Sequence, residues 1–219
     1  EMECTFNMVN YKKENFVITI SRTYGSGGRE IGHKLAKKLN LPFYDKELLQ
    51  MVSKEFNYSE EYLKNADEKP TNSFLYSLSV AANSNFHFNY DTMPINDQLF
   101  IAQAKLIKRL VNKSSCIIVG RCANSILADH PNILSAIIYA PLEKRIESIK
   151  EYDPNLKSEN EIKNLIKKND KQRREYHKYY ANNDWMVMEN YHICLDSSKI
   201  GIDGCIDVLK QSAKTKHFI

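Results

Sequence analysis

The chain has 219 residues, 42% hydrophobic and 26% charged, which is close to globular averages and enough for one domain with a sizeable core. A formal charge of +4, from 31 basic and 27 acidic residues, is mild; it fits a small anionic substrate without arguing for one, and the nearest approach to a nucleic-acid-binding stripe is Lys163–Arg174. No apolar run approaches the roughly 18 residues of a membrane span, and the first fifteen residues lack the apolar core of a signal peptide.

In chain order, the start at Glu1 ahead of Met2 suggests an appended or trimmed beginning. Phe16–Ile20, almost all apolar or β-branched, reads as a strand. The glycine-rich turn that follows opens a helix with Ile31, Leu35, Ala36 and Leu39 on one face, which should end near Asn40 ahead of Pro42. Leu41–Tyr44 is a short second strand, and Asp45 is placed to cap a helix through Leu49 and Val52. Between Asp67 and Asn96, two prolines and many Asn and Ser weaken every pattern, although Phe74, Tyr76, Phe86, Phe88 and Tyr90 argue against a plain linker. A helical insertion with a loop is the expectation there. Asp97 can cap a helix to about Asn112.

Cys116–Val119 is a third strand ending at Gly120-Arg121, and Ile133–Ala140 a fourth, with Pro141 starting the next helix. Ser158 and Glu161 form a capping-box pattern at the head of a long basic helix reaching about Tyr180. Tyr191–Leu195 is the fifth strand, and Ile202–Leu209 belongs to a closing helix. Five strands alternating with helices predict a parallel, doubly wound α/β sheet, whose ligands sit beyond the carboxyl ends of the strands. Those ends carry Ser21–Glu30, Asp45, Gly120-Arg121 and Ala140-Pro141.

The five cysteines, Cys4, Cys116, Cys122, Cys194 and Cys205, form no CxxC pair and point to a reducing, cytoplasmic setting. The six histidines have no metal-ligand spacing and read as ordinary, and Trp185 reads as core.

The turn Tyr24-Gly25-Ser26-Gly27-Gly28 lies where strand passes into helix, so its backbone N–H groups would make a phosphate cradle. The usual phosphate loop reads G-x-x-x-x-G-K-[ST], with lysine on the phosphates and a hydroxyl on Mg²⁺. Two registers are possible. In one, Gly27 is the second glycine, Gly28 replaces the lysine and Arg29 the hydroxyl residue. In the other, Gly28 is the second glycine, Arg29 replaces the lysine and Glu30 the hydroxyl residue. Either Arg29 or Arg22 is available as the missing cation, and spacing alone does not choose a metal ligand among Ser21, Thr23 and Ser26.

The segment Ile18 to Gly32, then Pro42-Phe-Tyr-Asp45, Ile117-Ile-Val-Gly-Arg-Cys-Ala123, Ala140-Pro141 with Arg145, Asp170-x-x-Arg173 and Tyr191-His-x-Cys-Leu-Asp196 together resemble the cytidylate kinase-like family. The resemblance spans roughly residues 16 to 210 and implies a P-loop, nucleoside monophosphate kinase-like α/β/α fold with a five-stranded parallel sheet. It implies a single domain over 1–219 with a core at about 16–212, an acceptor-side insertion at about 58–97 and a lid at about 145–175.

The implied reaction is phosphoryl transfer from ATP with Mg²⁺ to CMP, dCMP or a related acceptor. It assigns Ser21, Tyr24, Gly25, Ser26, Gly27, Gly28, Arg29, Glu30 and Arg145 to the donor nucleotide, and Asp45, Arg121, Asp170 and Arg173 to the acceptor. Arg22, Arg29 and Arg173 would neutralise charge during transfer. The family usually has Asp after the arginine at 121, where this chain has Cys122, and lysines stand where an upstream Arg-Asp pair is expected. A non-catalytic relative that holds nucleotide or phosphate is the alternative. A kinase for another small acceptor, and a nucleic-acid module on Lys163–Arg174, rank below it.

Overall fold

A computed structural model describes residues 14–56, 94–153 and 158–219. The stretch from 57 to 93, which carries most of the expected insertion, lies outside the described residues, as do 1–13 with Cys4 and 154–157 within the expected lid.

Five parallel strands form one sheet: β1 (Val17–Arg22), β2 (Phe43–Tyr44), β3 (Cys116–Val119), β4 (Ile133–Tyr139) and β5 (Ile193–Asp196), in the order β2-β3-β1-β4-β5. The described helices are α1 (Gly28–Leu39), α2 (Glu47–Phe56), α3 (Ile95–Lys113), the short α4 (Ala123–Ile126), α5 (Leu142–Tyr152), α6 (Glu159–Ala181) and α7 (Ser197–Thr215). None of the described helices is long and apolar enough to cross a membrane.

Alternation along the strands explains the layering, because successive side chains point to opposite faces. Ile18, Ile20, Ile117, Val119, Leu134, Ala136 and Ile138 pack against Ile31 and Leu35 of α1 and Ile206 and Leu209 of α7. Val17, Cys116, Ile118 and Ile133 face the other way, against Leu48 of α2, Leu106 and Ile107 of α3, and Leu127. Strands covered on both sides must be apolar on both, which is why Ile117 and Ile118 are both fully buried; truncating either to Ala removes about 2–5 kcal/mol. A third, smaller cluster joins α5 to α6 through Ile146, Ile149, Ile162 and Ile166, and Tyr24 of the glycine-rich turn packs against it.

Several boundaries differ from the sequence expectations for local reasons. Strand β1 runs on to Arg22 because Ser21 and Arg22 stay in register with Ile137 and Ile138 of β4. Asp45 does not cap α2: its carboxylate is turned to Arg29, at 2.5 Å from Nε. Nor does Asp97 cap α3. The helix opens at Pro94, whose carbonyl accepts from Asp97 N and Gln98 N at 2.9 and 3.1 Å. Asp97 is buried in the first turn instead and accepts the Tyr180 hydroxyl at 2.7 Å. Strand β5 starts only at Ile193, because the residues before it form a 3₁₀ turn over Met188–Asn190. The closing helix starts earlier than expected, with the Asp196 side chain accepting Ser198 N–H at 2.9 Å, and is broken at Gly201 (φ 70°) before it continues. The capping box of Ser158 and Glu161 and the left-handed Asn40 that ends α1 both stand as the sequence implied.

Candidate functional site

The three central strands end beside one another, and two turns leave this edge of the sheet. The first is the glycine-rich turn. Gly25 and Gly27 have φ of 82° and 77°, a left-handed region that side chains disfavour. Gly27 is the N-cap of α1 and its carbonyl accepts Ile31 N–H at 2.9 Å, so the first-turn N–H groups of the helix open toward the turn. Ser26 braces the turn from within, donating to Thr23 O at 2.8 Å and Ile138 O at 3.0 Å. Ser197 at the head of α7 donates to Ser26 O at 2.8 Å.

Gly28, the first residue of α1, follows a left-handed Gly27. A Cβ at Gly28 would stand 2.5 Å from Cβ of Arg22 and 3.3 Å from Cβ of Ile138. No side chain fits there because Arg22, held in β1, already fills the space. Arg22 is largely covered, with 12% of its side chain exposed, whereas Arg29 is 56% exposed. Arg29 turns along the surface to Asp45 and approaches Glu47 at 3.9 Å; the Asp45 hydrogen bond raises the guanidinium above its ordinary value. Glu30 pairs with Lys34 at 2.7 Å on the outer face of α1, away from the cleft.

The second turn leaves β3. Gly120, Arg121 and Cys122 have φ of 75°, 62° and 52°, three left-handed residues in a row of which two carry side chains. Each non-glycine residue there costs about 1 kcal/mol, and such strain persists only where surrounding contacts over-determine it. The turn aims Arg121 inward, buried, into a small cleft lined by Ser21, Arg22, Arg121, Arg173, His177 and Trp185, among others.

Helix α6 forms the facing wall. Arg173 donates to the carbonyl of Arg22 at 3.3 Å and sits 5.7 Å above the Tyr24 ring, a cation–π distance. One turn earlier, Asp170 accepts Tyr24 N–H at 2.8 Å on one oxygen and Arg145 Nη1 at 2.5 Å on the other. Arg145 also donates to Tyr24 O at 3.3 Å. Asp170 and Arg145 therefore fasten the glycine-rich turn to α5 and α6, while Arg22, Arg121 and Arg173 share the cleft.

Among the expected site residues, Ser21, Arg22, Arg121 and Arg173 meet in that cleft; Tyr24, Arg145 and Asp170 meet at the fastening beside it; Arg29 and Asp45 pair at its rim, 3.9 Å from Arg22. Sequence reasoning did not assign Tyr176, His177 and Trp185 to the site, although all three line the cleft. Tyr176 and His177 lie three and four residues beyond Arg173, a helical spacing that places them on its face. Trp185 is buried as expected of a core residue, and the Tyr191 hydroxyl donates to its carbonyl at 2.8 Å; burial pushes that hydroxyl up.

Arg22 stands beside the first turn of α1, where the amides of Gly28 to Glu30 precede the first helical hydrogen bond. Among the described residues no group of three or more His, Cys, Asp or Glu could hold a metal ion; of the candidate hydroxyls, Ser26 donates to Thr23 O and Ile138 O, while Thr23 Oγ1 is buried without a hydrogen-bond partner.

No curated protein matches the sequence. Among solved structures, an uncharacterised protein from Eubacterium ventriosum is similar at 28% identity and TM-score 0.68, covering 91% of this chain and 99% of its own. Shikimate kinase from Bacteroides thetaiotaomicron shares the fold at 11% identity and TM-score 0.50, covering 91% and 98%. The family comparison is more specific. The cytidylate kinase-like family matches residues 17–199, a span from the first strand through the glycine-rich turn, the strained β3 turn and α6 to the head of α7. That match takes in well over half of the sequence, and this chain belongs to the cytidylate kinase-like family.

Proposed function

We propose that the protein transfers a phosphoryl group from ATP to a nucleoside monophosphate, CMP or dCMP first among them. The observation that carries this is the convergence of Arg22, Arg121 and Arg173 on one cleft beside the glycine-rich turn. Arginine offers a phosphate forked hydrogen bonds that lysine does not, so three arginines lining one small cleft suit a dianionic phosphate. In this reading, the amides of Gly25 to Glu30 hold the donor phosphates and Arg22 supplies the cation that lysine provides elsewhere. Arg121 and Arg173 hold the acceptor phosphate, and Asp45 fixes Arg29 at the rim. An oxygen of the acceptor phosphate forms the new bond to the transferred phosphorus as the bond to ADP breaks. The protein contributes position and charge, without a covalent intermediate. Mg²⁺, when bound, would be held chiefly by the ATP phosphate oxygens and water, with the unpartnered Thr23 hydroxyl as the nearest protein oxygen of the turn, and would supply further positive charge.

Measuring ADP release with CMP, dCMP, UMP, AMP and GMP tests the reading, and turnover with CMP and dCMP above the others is expected. The loop lacks the usual lysine and hydroxyl residue in either register, which favours a second reading, in which the site binds nucleotide and transfers nothing. A rise in melting temperature with ATP and no turnover on any acceptor would select it.

A further inference from the structure

His177 is buried on α6 and has both ring nitrogens engaged. Nε2 lies 3.2 Å from Asn124 Oδ1 and Nδ1 lies 2.8 Å from Asn183 Oδ1. Asn124 sits two residues past Cys122, on the short helix that the strained β3 turn opens. Asn183 follows the left-handed Asn182 that ends α6, on the path to Trp185. The ring therefore touches three segments, each of which supplies a lining residue of the arginine cleft: Arg121 from the β3 turn, Arg173 from α6, and Trp185 from the chain beyond. Either an imidazolium donating to two amide oxygens, or a neutral ring with one amide turned to offer its NH₂, satisfies both contacts.

We propose that His177 is the positioning residue of the acceptor cleft, joining the strained turn of Arg121 to the helix of Arg173 so that both guanidinium groups meet one anion. Arg121 and Cys122 are left-handed without being glycine, so their turn needs an outside hold. Local backbone bonds supply part of it, from Ser125 N and Ile126 N to Cys122 O, both at 2.9 Å. Those bonds shape the turn but do not set its distance from α6. The His177–Asn124 contact does. The placement of the anion as an acceptor phosphate rests on the reading above.

Trp185 is the chain's one tryptophan and lines the cleft, so its emission reports occupancy without catalysis. Wild type, His177→Phe, His177→Gln, His177→Asn, Asn124→Ala and the double variant His177→Phe/Asn124→Ala are titrated with CMP. The ATP-induced rise in melting temperature is followed in parallel. Expected are at least a tenfold rise in Kd for CMP in His177→Phe and Asn124→Ala, with the ATP response unchanged. His177→Gln, whose amide can stand in for Nε2, stays within threefold of wild type, whereas His177→Asn, reaching only Asn183, resembles His177→Phe. The double variant is no weaker than either single one.

A CMP Kd within threefold of wild type in folded Asn124→Ala overturns the inference. So do effects that multiply in the double variant, and an ATP response that falls in step with CMP. If CMP leaves wild-type emission unchanged while inorganic phosphate alters it, the CMP reading falls and the same variants titrated with phosphate decide the role of His177. If neither anion is felt, both the reading and the inference fail.

Discussion

Two turns at the same edge of the sheet solve the same problem differently. The glycine-rich turn reaches its left-handed conformations with Gly25 and Gly27, at no steric cost, and is braced by Ser26 against Thr23 within it and Ile138 of β4. The β3 turn adopts left-handed φ at Arg121 and Cys122, and the short helix after it meets α6 through the Asn124–His177 contact. The backbone shape of the first is set locally by its glycines, although Asp170, Arg145 and Ser197 also fasten it to α6, α5 and α7. The second needs the folded whole. A binding surface for polyphosphate can be built locally from amides, whereas aiming a buried guanidinium requires contacts from several elements.

The largest test of this contrast asks whether the glycine-rich turn can take back its missing lysine. Gly28→Lys should not restore an ordinary phosphate loop. The new Cβ would meet Arg22 at 2.5 Å, and forcing it in should lower stability by about 1–3 kcal/mol, read from urea unfolding, with loss of the ATP-induced melting shift.

Next in size is the division between the two arginines. Arg22→Ala should weaken ATP binding tenfold or more, about 1.4 kcal/mol, while Arg29→Ala weakens it less because that guanidinium is committed to Asp45. Calorimetric titration with ATP reads both, and equal losses would place Arg29 on the phosphates after all.

Replacing residues across the two turns is smaller still. Gly27→Ala should cost about 1–2 kcal/mol, because it adds left-handed strain and a contact with Ile202. Cys122→Gly should stay within about 0.5 kcal/mol of wild type, since relief of strain offsets the loss of a small buried side chain. A large loss at Cys122 would mean that its thiol, rather than the clasp from α6, secures the turn.

The smallest effect lies away from both turns, at the ends of β4 and β5 remote from the cleft. His192 Nδ1 accepts Ser135 N–H at 3.0 Å and His130 Nδ1 accepts Asn132 N–H at 3.2 Å. Burial lowers both rings below the ordinary histidine value, with Lys216 adding to the effect at His192. The unfolded chain therefore binds more protons just below about pH 6.5, so this stability is complete above that pH and is lost as pH falls through it. His192→Gln should flatten the decline in urea midpoint between pH 7.5 and 5, leaving the wild-type response to ATP intact.

Much of the fold was legible because its signals are local. The β-branched strands, the Ser158 and Glu161 capping box and the stop at Asn40 ahead of Pro42 each depend on neighbours in the chain. Asp45 and Asp97 were misread for the opposite reason. Both have the chemistry of a helix cap, and both were drawn away by distant partners, Arg29 and Tyr180. The glycine-rich turn was visible in Gly25 to Gly28, but the crowding of Gly28 by Arg22 was not, because the two meet only when β1 and α1 pack. His177 was passed over because its partners lie 53 residues upstream and six downstream.

The sequence by itself determined a parallel α/β sheet, its strand ends and a phosphate-holding turn, since period, turn chemistry and glycine placement act over a few residues. Only the tertiary structure decided that Arg22 fills the space beside Gly28 and that the His177 ring lies between Asn124 and Asn183. Those outcomes depend on excluded volume and on hydrogen bonds between segments that folding alone brings within reach.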